Sequence, residues 1–561
     1  MGAMNLAVLA TSCFFYPAVA HPQNLTSFER QASLDADLDL YWTVDVASQM
    51  FHLAVHAKAA TGWLGFGISE MGGMEGADIM FYESESNTIT DAHSLVPGSP
   101  VSDECGQDWT LLSAEVGTED MVVQAERPLH TLDPQDWDLE DDSKEGATPT
   151  RIFAAWGDEA YVSHHGSRVA QAAVFLFSEQ GASDPDPLIE LRRNENIHTF
   201  DVIPDKFPIP TETTWYEDTC FSTSVLPADG EFHAVGFEGL LDNVTGGYVH
   251  HLVLKGYYDV DCGNSSNFYA DIFFWAHGVL NMALPDDAGF RFGGGAGGFK
   301  SITLQTHYNN PGGDAGVLDS SGIRIYYSVE PLSMDAGVLQ LGDPFISLMG
   351  EPLPDGKSRY SFSCPASCTL EHFQVPNVTI FQHSLHMHST GRRAQTLHYR
   401  NGELLRSLNV DYYSFFQAGG YVVGSHESGT LQAGDHFETE CHFDTSRSSK
   451  ETVYFGLGSE DEMCIDFVFY YPAQPIPLGG LCGPGFCGGD FHGHEELSEG
   501  SDFNRTFGIV ETCEEEEDLS EPASGTSGAA GVLLSGIEPA LLSLAAASLC
   551  TFLVGSLSRQ A

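Results

Sequence analysis

Ile302-Thr-Leu-Gln-Thr-His307 alternates large apolar side chains with polar ones, and the same pattern returns at intervals along most of the chain. Alternation with a period of two is typical of a β-strand that buries one face. Other stretches with this character are Phe51-His-Leu-Ala-Val-His56, Ile323-Arg-Ile-Tyr-Tyr327 and Phe467-Val-Phe-Tyr-Tyr471. Turn-forming residues separate these stretches, and long helical periodicity is confined to the two ends of the chain. The sequence therefore predicts an all-β protein built from sandwich domains.

The charge balance narrows the possible partners. The 561 residues include 79 acidic and 23 basic side chains, which gives a formal net charge of −56. A chain this acidic repels polyphosphate, so nucleic acid is excluded as a partner and cationic small molecules become better candidates. The acidic runs 133–145 and 514–518 are interpreted as solvated faces, with divalent-cation binding or adaptation to a salty medium as alternatives.

The sequence predicts a targeting signal at each end of the chain. Residues 5–20 form a short apolar run that ends in Ala18-Val19-Ala20, which predicts a signal peptide at 1–20. Secretion is supported by five glycosylation sequons, at Asn24, Asn243, Asn264, Asn377 and Asn504. The apolar residues 540–557 follow a run of small residues at 525–530, which favours a GPI-attachment signal over a single membrane-spanning helix. Either alternative predicts a membrane-tethered protein on the extracellular or vesicle-lumenal side.

The cysteine count fits an oxidising compartment. Without the leader and the tail, ten cysteines remain, and an even number in a secreted chain indicates five disulfides. Spacing alone does not fix their connectivity. The close pair Cys364 and Cys368 is also compatible with a metal site, although the compartment favours disulfides.

Histidines are the main candidates for chemistry. The chain has 23, and several fall in apolar, strand-like surroundings. His386 and His388 are two residues apart, so on a strand both rings reach the same side and one metal. His250 and His251 are adjacent, so to share a metal they would need a bulge, a strong local twist or the use of different ring nitrogens.

Four motifs in this order resemble the copper type II, ascorbate-dependent monooxygenases, the family that includes the dopamine β-hydroxylase and monooxygenase-X branch. The motifs are Tyr248-Val-His-His-Leu-Val-Leu254, Leu284-Pro-Asp-Asp-Ala-Gly-Phe-Arg-Phe-Gly-Gly294 with Leu304-Gln-Thr-His-Tyr-Asn-Asn-Pro311, Leu385-His-Met-His-Ser-Thr-Gly391 and Glu462-Met-Cys-Ile-Asp466. Upstream, the segments Trp63-Leu-Gly-Phe-Gly67, Gly76-Ala-Asp-Ile-Met80 and Ala155-Trp-Gly-Asp158 look like a DOMON domain.

This resemblance implies a two-copper enzyme that inserts one oxygen atom of O₂ into an aliphatic C–H bond, with ascorbate as the reductant. It assigns His250, His251 and His307 to the first copper, and His386, His388 and Met463 to the second copper, where oxygen binds. It also points to His386 and Tyr216 as catalytic residues. The disulfides implied by the same resemblance are Cys441–Cys464, Cys220–Cys262, Cys364–Cys482, Cys368–Cys487 and Cys105–Cys513.

The predicted domain organisation follows from these motifs and from the turn-rich boundaries. After the signal peptide come a DOMON sandwich at 21–195 and two jelly-roll-like copper sandwiches at 196–353 and 354–485. An acidic Gly/Ser-rich tail at 486–530 and a hydrophobic tail at 531–561 complete the chain.

The substrate is left open by the sequence. A small molecule is expected, with an amine among the candidates, but Val253 stands where dopamine β-hydroxylase has an acidic residue, which argues against a catecholamine. Minor alternatives are haem ligation by His164 and His165 with Met71, Met74 or Met80, and copper gathering by His492 and His494. The alternative hypothesis is that the chain is a non-catalytic extracellular protein, built from a DOMON domain and β-sandwiches, that binds a ligand or mediates adhesion.

Overall fold

The structure is a computed structural model, and it describes residues 25–497 with short gaps. The gaps are 71, 96–97, 144–148, 167, 178–187, 222–229, 243, 260–261, 263–268, 277–280, 294–296, 411–412, 414, 416–420, 423–428 and 459. Almost all regular structure in the described part is strand, arranged in three two-sheet sandwiches. The prediction of an all-β protein is confirmed.

The first sandwich contains eleven strands. They are β1 (Arg30–Asp35), β2 (Leu38–Asp45), β3 (Met50–Ala57), β4 (Trp63–Ile68), β5 (Ala77–Glu83), β6 (Thr88–Ser94), β7 (Val101–Ser102), β8 (Thr110–Val116), β9 (Met121–Pro128), β10 (Thr150–Gly157) and β11 (Val169–Val174). One sheet has the order β1-β2-β3-β9-β8, and the other has the order β11-β10-β4-β5-β6-β7. In β2 the buried positions alternate strictly with half-exposed ones, because Leu38, Leu40, Trp42 and Val44 face the other sheet.

The second sandwich follows α1 (Ile189–Arg193). Its strands are β12 (Ile197–Val202), β13 (Phe207–Pro208), β14 (Thr214–Phe221), β15 (Phe232–Leu240), β16 (Val249–Tyr257), β17 (Tyr269–Ala276), β18 (Met282–Ala283), β19 (Ala288–Phe292), β20 (Ser301–Asn309), β21 (Leu318–Asp319), β22 (Gly322–Ser328) and β23 (Met334–Asp335). The main sheets have the orders β12-β22-β15-β19-β23 and β14-β20-β16-β17.

The third sandwich contains the remaining strands and two short helices. The strands are β24 (Gly337–Gly342), β25 (Lys357–Cys364), β26 (Val378–His386), β27 (Gly391–Arg400), β28 (Glu403–Val410), β29 (Tyr421–Val422), β30 (Thr430–Leu431), β31 (His436–Asp444), β32 (Ile465–Tyr471) and β33 (Asp490–Glu496). The helices are α2 (Ala366–His372) and α3 (Pro477–Gly480). The sheet orders are β24-β32-β26-β29 and β28-β27-β31-β25-β33.

Two features of the third sandwich extend beyond the predicted boundaries. Strand β24 lies before residue 354, and β33 lies in the segment for which composition predicts a loose tail. Phe491 of β33 packs on Phe362 of β25, with ring centroids 5.2 Å apart, and Cys487 is bonded to Cys368. These contacts hold β33 on the sheet although glycine and acidic residues surround it in sequence.

The second and third sandwiches share a core. One continuous cluster of buried apolar side chains runs from Val202 in β12 to Phe469 in β32, whereas the first sandwich has its own cluster. Gly479 and Gly480 in α3 lie against the backbone of β17 and β24. A Cβ at these positions would come within 1.9 Å of the carbonyl oxygens of Tyr269 and Val338. Only glycine fits at these two positions of α3, where the chain packs between β17 of the second sandwich and β24 of the third.

Four disulfides are present among the described residues: Cys220–Cys262, Cys364–Cys482, Cys368–Cys487 and Cys441–Cys464. They are four of the five pairs that the sequence predicts, and they fit folding in an oxidising compartment. The fifth predicted pair includes Cys513, which lies outside the described residues.

The acidic run 133–145 is not simply a solvated face. Asp142 is buried and accepts hydrogen bonds from the backbone N–H groups of Leu176 and Phe177, at 2.5 and 2.8 Å. Asp136 lies beside the buried guanidinium of Arg127, with 3.5 Å between the nearest oxygen and nitrogen. The interpretation failed for these residues because folding buries them against partners outside the acidic run, the backbone after β11 for Asp142 and the guanidinium of Arg127 in β9 for Asp136.

Several sequence predictions concern residues that the structure describes only in part. Of the sequons, Asn377 is exposed before β26, and Asn24, Asn243, Asn264 and Asn504 lie outside the described residues. The leader at 1–20 and the tails at 514–518 and 531–561 also lie outside them. Within the described part of the chain, no helix is both long enough and apolar enough to cross a membrane.

Candidate active site

The first histidine cluster lies where β16 and β20 pair. His250 and His251 are near the start of β16, and His307 is near the end of β20. His251 is directly opposite His307, and the register of the two strands shifts between Val249 and His251. Adjacent strand residues normally point to opposite faces, so this irregularity lets both His250 and His251 approach His307. A bulge is one of the three arrangements that the sequence leaves open for a metal shared by the two residues.

Ring nitrogens of the three side chains converge. The Nδ1 atom of His251 lies 3.2 Å from Nδ1 of His250 and 3.4 Å from Nδ1 of His307. Burial, followed by the neighbouring imidazoles, lowers the pKa of His251 well below its usual value and lowers the pKa of His307 to about 3. Both rings are therefore neutral near pH 7 and offer a nitrogen lone pair.

The second cluster lies at the end of β26 and the start of β32. His386 ends β26, His388 is two residues further on, and their ring centroids are 5.1 Å apart. Met463 precedes β32 by two residues, and Ile465 of that strand is paired with His386. All three side chains line one cavity of 480 Å³. Burial lowers the pKa of His386 well below its usual value and that of His388 to about 4, so these rings are neutral as well.

The hydrogen bonds of His388 fix its tautomer. Its Nδ1 atom is 3.0 Å from the carbonyl oxygen of Asp461. A carbonyl oxygen can only accept, so Nδ1 carries the proton and Nε2 keeps a lone pair. That Nε2 atom is buried and has no hydrogen-bond partner among the described residues. A buried imidazole held in this way has the arrangement of a metal ligand oriented by a backbone carbonyl.

Glu462 connects the two segments that carry the second cluster. Its buried carboxylate accepts hydrogen bonds from the backbone N–H of His388 at 2.9 Å and of Thr390 at 2.6 Å, and from the Thr390 hydroxyl at 2.7 Å. Burial raises its pKa to about 7. The Cys441–Cys464 disulfide starts directly after Met463. Met463 is therefore held between a hydrogen-bonded residue and a cross-linked one.

The two clusters face each other between the second and third sandwiches. The ring centroids of His251 and His386 are 6.1 Å apart. Phe415 stacks on His250 at 4.2 Å and lies 5.4 Å from His388. The cavity that His251 shares with the second cluster is otherwise lined mainly by apolar side chains, including Val253, Phe274, Phe345, Ile346, Leu457, Ile465, Phe467, Leu478, Leu481 and Phe486.

Comparison with known proteins gives the same picture. A family model described as a DOMON domain matches residues 34–145. The N-terminal and C-terminal domain models of the copper type II ascorbate-dependent monooxygenases match residues 200–315 and 334–479. The chain thus matches both domains of the copper type II ascorbate-dependent monooxygenase family. Members of this family use two copper ions, with ascorbate as reductant and O₂ as co-substrate.

Named relatives in this family are distant. Dopamine beta-hydroxylase from Rattus norvegicus is 26% identical over 476 residues, which is 79% of this chain and 72% of the relative. Putative DBH-like monooxygenase protein 2 from Homo sapiens is 28% identical over 467 residues, which is 78% of this chain and 87% of the relative. Among solved structures, the cytochrome b domain of pyranose dehydrogenase from Coprinopsis cinerea matches 27% of this chain and 87% of its own. Its sequence identity is 12%, and its TM-score of 0.21 is too low to support any argument.

The donor sets of the two clusters fit the copper ions of this monooxygenase family. Imidazole nitrogen suits both oxidation states of copper, whereas a thioether is a soft ligand that favours Cu(I). Only the second cluster has a thioether, that of Met463, and its His388 presents a buried ring nitrogen with no other partner among the described residues. The chain therefore offers two chemically different sites of the kind that the family requires.

Tyr216 links the first cluster to the third sandwich. Its ring stacks on His307, with centroids 4.2 Å apart, and its hydroxyl donates a hydrogen bond of 2.7 Å to the carbonyl oxygen of Leu457. Burial raises the pKa of the Tyr216 hydroxyl above its usual value. These contacts make Tyr216 a positioning residue for His307, and its catalytic assignment from the sequence stays a prediction.

Tyr216→Phe tests this assignment. The variant keeps the ring stack and loses one hydrogen bond of about 1 kcal/mol, so we expect kcat to fall about 5-fold or less with KM nearly unchanged. A hydroxyl that transferred a proton in the reaction would instead lower kcat by about 100-fold or more. Steady-state oxygen uptake with ascorbate separates the two outcomes. Tyr216→Ala, which also removes the stack, is expected to weaken metal binding by the first cluster.

The residues that the sequence offers as alternative ligands for haem or copper lie away from these clusters. His164 and His165 stack on each other in the loop between β10 and β11, while Met80 is buried in the core of the first sandwich. Met71 lies outside the described residues. His494 stacks on Tyr360 of the third sandwich, and His492 is exposed on the same strand, β33.

Other residues of the site were not singled out in the sequence. Phe415 follows β28 in a segment without a motif, and its place between the clusters depends on tertiary packing. Lys255 and Asp271 also line the cavity. The sequence feature that could have identified them is a charged residue within an otherwise apolar strand pattern, at Leu254-Lys255 and at Ala270-Asp271-Ile272.

Proposed function

We propose that this protein is a two-copper monooxygenase that hydroxylates an aliphatic C–H bond of a small organic substrate. The observation that carries the proposal is the opening of both histidine clusters towards each other beside one largely apolar cavity, with a thioether in the second cluster alone. The balanced reaction takes a C–H bond, O₂, two electrons and two protons to a C–OH group and water. Ascorbate supplies the electrons.

Each cluster has a separate task in this proposal. His250, His251 and His307 would hold the copper that stores an electron, and His386, His388 and Met463 would hold the copper at which O₂ reacts. When bound, the metals supply the electron transfer and the activation of oxygen. His386 is assigned as catalytic because it lines the substrate cavity and lies nearest to the first cluster, 6.1 Å from His251 between ring centroids.

The remaining residues bind, orient and exclude water. The Asp461 carbonyl and the Glu462 carboxylate hold His388 in one orientation. Phe415 packs against a ring from each cluster, so it limits their relative movement. The apolar wall formed by Val253, Phe274 and Phe467 keeps bulk water from the reacting centre.

Metal content gives the direct test. Copper-loaded protein is expected to contain two copper ions per chain, and His307→Ala and Met463→Ala are each expected to lose one or to bind it at least about 10-fold more weakly. Both variants are expected to lose hydroxylation, measured as ascorbate-driven oxygen uptake and as product by mass spectrometry. His198→Ala and Met349→Ala, which replace exposed residues, serve as matched controls. Unchanged copper binding in the two site variants would favour the non-catalytic binding protein instead.

We also propose that the chain enters the secretory pathway and is tethered to a membrane on the extracellular or lumenal side. The apolar leader at 1–20, the five sequons and the small-residue run before the apolar tail support this location. Release of the protein from cells by a phosphatidylinositol-specific phospholipase would distinguish a GPI anchor from a membrane-spanning helix.

A further inference from the structure

One end of the cavity is polar, whereas the walls between this end and the histidines are apolar. Lys255 of β16, Tyr269 and Asp271 of β17, and Gln340 of β24 line this end. Lys255 is directly opposite Asp271 in the pairing of β16 with β17. A few polar groups in an apolar cavity are the usual means by which a protein fixes the orientation of a small ligand.

Asp271 is incompletely satisfied inside the protein. Its side chain is 8% exposed, and the side chain of Gln340 is hydrogen-bonded to its carboxyl group. The other oxygen, Oδ1, is buried and has no hydrogen-bond partner among the described residues. Leaving a buried carboxylate oxygen unpaired is costly, so a ligand that donates hydrogen bonds or positive charge to it would be favoured.

Lys255 does not neutralise this carboxylate by itself. Its ammonium lies 5.1 Å from the centroid of the Tyr269 ring and 4.0 Å from a carboxylate oxygen of Asp218, which is at the exposed rim. Lys255 is therefore shared between two carboxylates, that of Asp271 in the cavity lining and that of Asp218 outside it. The local excess of negative charge favours a cation over an anion.

The distance from the polar end to the histidines sets the length of the ligand. His251, Val253 and Lys255 line the cavity from one face of β16, and four residues of strand span roughly 13 Å. On the opposite wall, Gln340 pairs with Phe467, and Ile465 pairs with His386. The route from Gln340 to His386 crosses two strand spacings, from β24 to β32 and from β32 to β26, and moves two residues along β32. This route also corresponds to roughly 12 Å. The polar end therefore lies roughly 12–13 Å from the histidines on both walls, measured to His251 of the first cluster along β16 and to His386 of the second cluster across β32.

We propose that Asp271 binds the protonated amine of an elongated substrate whose apolar chain lies along Val253, Phe274 and Phe467 and reaches the second histidine cluster at its far end. This inference rests on the proposed function, because it assigns the oxidised carbon to the site of His386, His388 and Met463. The substrate class is a long amphiphilic amine, and hydroxylation takes place on a carbon remote from the nitrogen.

Binding to copper-free protein tests recognition separately from chemistry. The probes are decylamine, decanol and decanoate, each below its micelle concentration, with ethylamine as the short control, and dissociation constants are measured by calorimetry. Decylamine is expected to bind most tightly. Asp271→Asn, which keeps the size of the side chain, is expected to weaken decylamine about 30-fold and to leave decanol unchanged. The variant is expected to unfold no more easily than the original protein, since it removes a buried charge.

Glu212→Gln is the matched control, because it removes an exposed carboxylate of the same sandwich that does not line the cavity, and it is expected to change the decylamine affinity less than about 3-fold. Tighter binding of decanoate than of decylamine, or an Asp271→Asn affinity for decylamine within about 2-fold of the original, would overturn the proposal.

Turnover of copper-loaded protein then tests the geometry. We expect the hydroxyl group of the decylamine product near the end distant from nitrogen, and a higher KM with little change in kcat for Asp271→Asn. A hydroxyl group on a carbon next to the amine would contradict the proposed distance. Asp271-dependent binding without oxygen uptake for any probe would count against the monooxygenase reaction and not against amine recognition. Oxygen uptake with another substrate and no binding of decylamine would count against amine recognition and not against the monooxygenase reaction.

The pH dependence of binding has a defined sign. Burial raises the pKa of Asp271 to about 6, although Lys255 opposes the shift. Asp218, Tyr269 and Gln340 are the other charged or polar groups that surround it. Decylamine stays protonated below neutral pH, so its affinity is expected to fall as the pH drops below about 6 and to be independent of pH in Asp271→Asn.

Discussion

Replacement of Arg127 by methionine is expected to destabilise the first sandwich by about 3–5 kcal/mol, because it leaves buried carboxylates without their cation. The Arg127 side chain is completely buried. Its guanidinium donates hydrogen bonds to the carboxylate of Asp78 at 2.5 Å and to the carbonyl oxygen of Trp137 at 3.0 Å, and it lies 3.5 Å from Asp136. Methionine fills a similar volume, so the loss is mainly electrostatic.

Urea unfolding followed by tryptophan fluorescence measures this effect. Five of the seven tryptophans, at 42, 63, 109, 137 and 156, lie in the first sandwich, so the signal reports mainly on that domain. Arg168→Met is the matched control. Arg168 forms an exposed ion pair with Asp158 at 2.8 Å, and its loss is expected to cost less than about 1 kcal/mol. Equal effects of the two substitutions would show that the buried pair contributes no more than a surface pair.

The pH dependence provides a second readout of the same prediction. Burial, followed by the charge of Asp78, raises the pKa of Asp91 to about 7 and that of Asp103 to about 8, and it also raises the pKa of Asp136. These carboxyl groups hold their protons more tightly in the folded state than at the unfolded value of 3.8. The folded domain therefore loses stability as the pH rises from about 4 to about 8.

Loss of Arg127 removes the positive charge that opposes this trend. We expect the Arg127→Met penalty to be smaller at pH 5 than at pH 8 by about 1 kcal/mol or more. The measurement is made with a chelator present, so that no divalent cation replaces the missing charge. A penalty that stays the same or grows at pH 5 would contradict this electrostatic explanation.

The strand pattern and the histidine spacing were readable from the sequence because they depend on local geometry. Alternation in 302–307 predicts β20. The separation of His386 and His388 by two residues predicts that their rings lie together, and they do, with centroids 5.1 Å apart, although β26 ends at His386 and His388 lies beyond the strand. For the adjacent pair His250 and His251 the sequence leaves a bulge, a twist or different ring nitrogens open, and the structure has a register irregularity between Val249 and His251.

Residues that depend on distant strands were not readable in the same way. Asp136 looked solvated because its neighbours in sequence are acidic, but its partner is Arg127 from β9. Phe415 reaches both clusters from a segment without a motif. Asp271 occupies an apolar strand pattern, and only the pairing with β16 and the approach of β24 show that it lines the cavity. Tertiary partners decide the role of each of these residues.

A large effect on one metal site alone is expected from Glu462→Ala, which should remove copper from the second cluster and leave the first cluster loaded. Glu462 is completely buried and does not itself belong to the ligand set. Its carboxylate is the common acceptor for two backbone N–H groups and one hydroxyl from His388 and Thr390. Without it, three buried donors lose their acceptor, at about 1–3 kcal/mol each.

This loss acts on the ligand segment itself and therefore on metal affinity. Partners that orient metal ligands typically contribute about 10–100-fold in affinity, and Glu462 holds the backbone of His388 beside the residue that precedes Met463. Copper content after dialysis against a weak chelator is expected to fall from two ions to one, and the copper–sulfur signal of X-ray absorption is expected to disappear. Glu462→Gln, which keeps one acceptor oxygen, is expected to give an intermediate affinity.

Glu460→Ala separates this explanation from a general effect of charge in the loop. Glu460 carries the same carboxylate two residues earlier, but it is exposed and its contact is with Lys450 at 3.3 Å. Its removal changes the net charge equally and removes no acceptor from His388 or Thr390, so copper content and the sulfur signal are expected to stay unchanged. Retention of two coppers and of the sulfur signal in Glu462→Ala would show that the Cys441–Cys464 disulfide alone suffices to place Met463. Loss of both coppers together would instead show that Phe415 and the facing rings of His251 and His386 couple the two clusters.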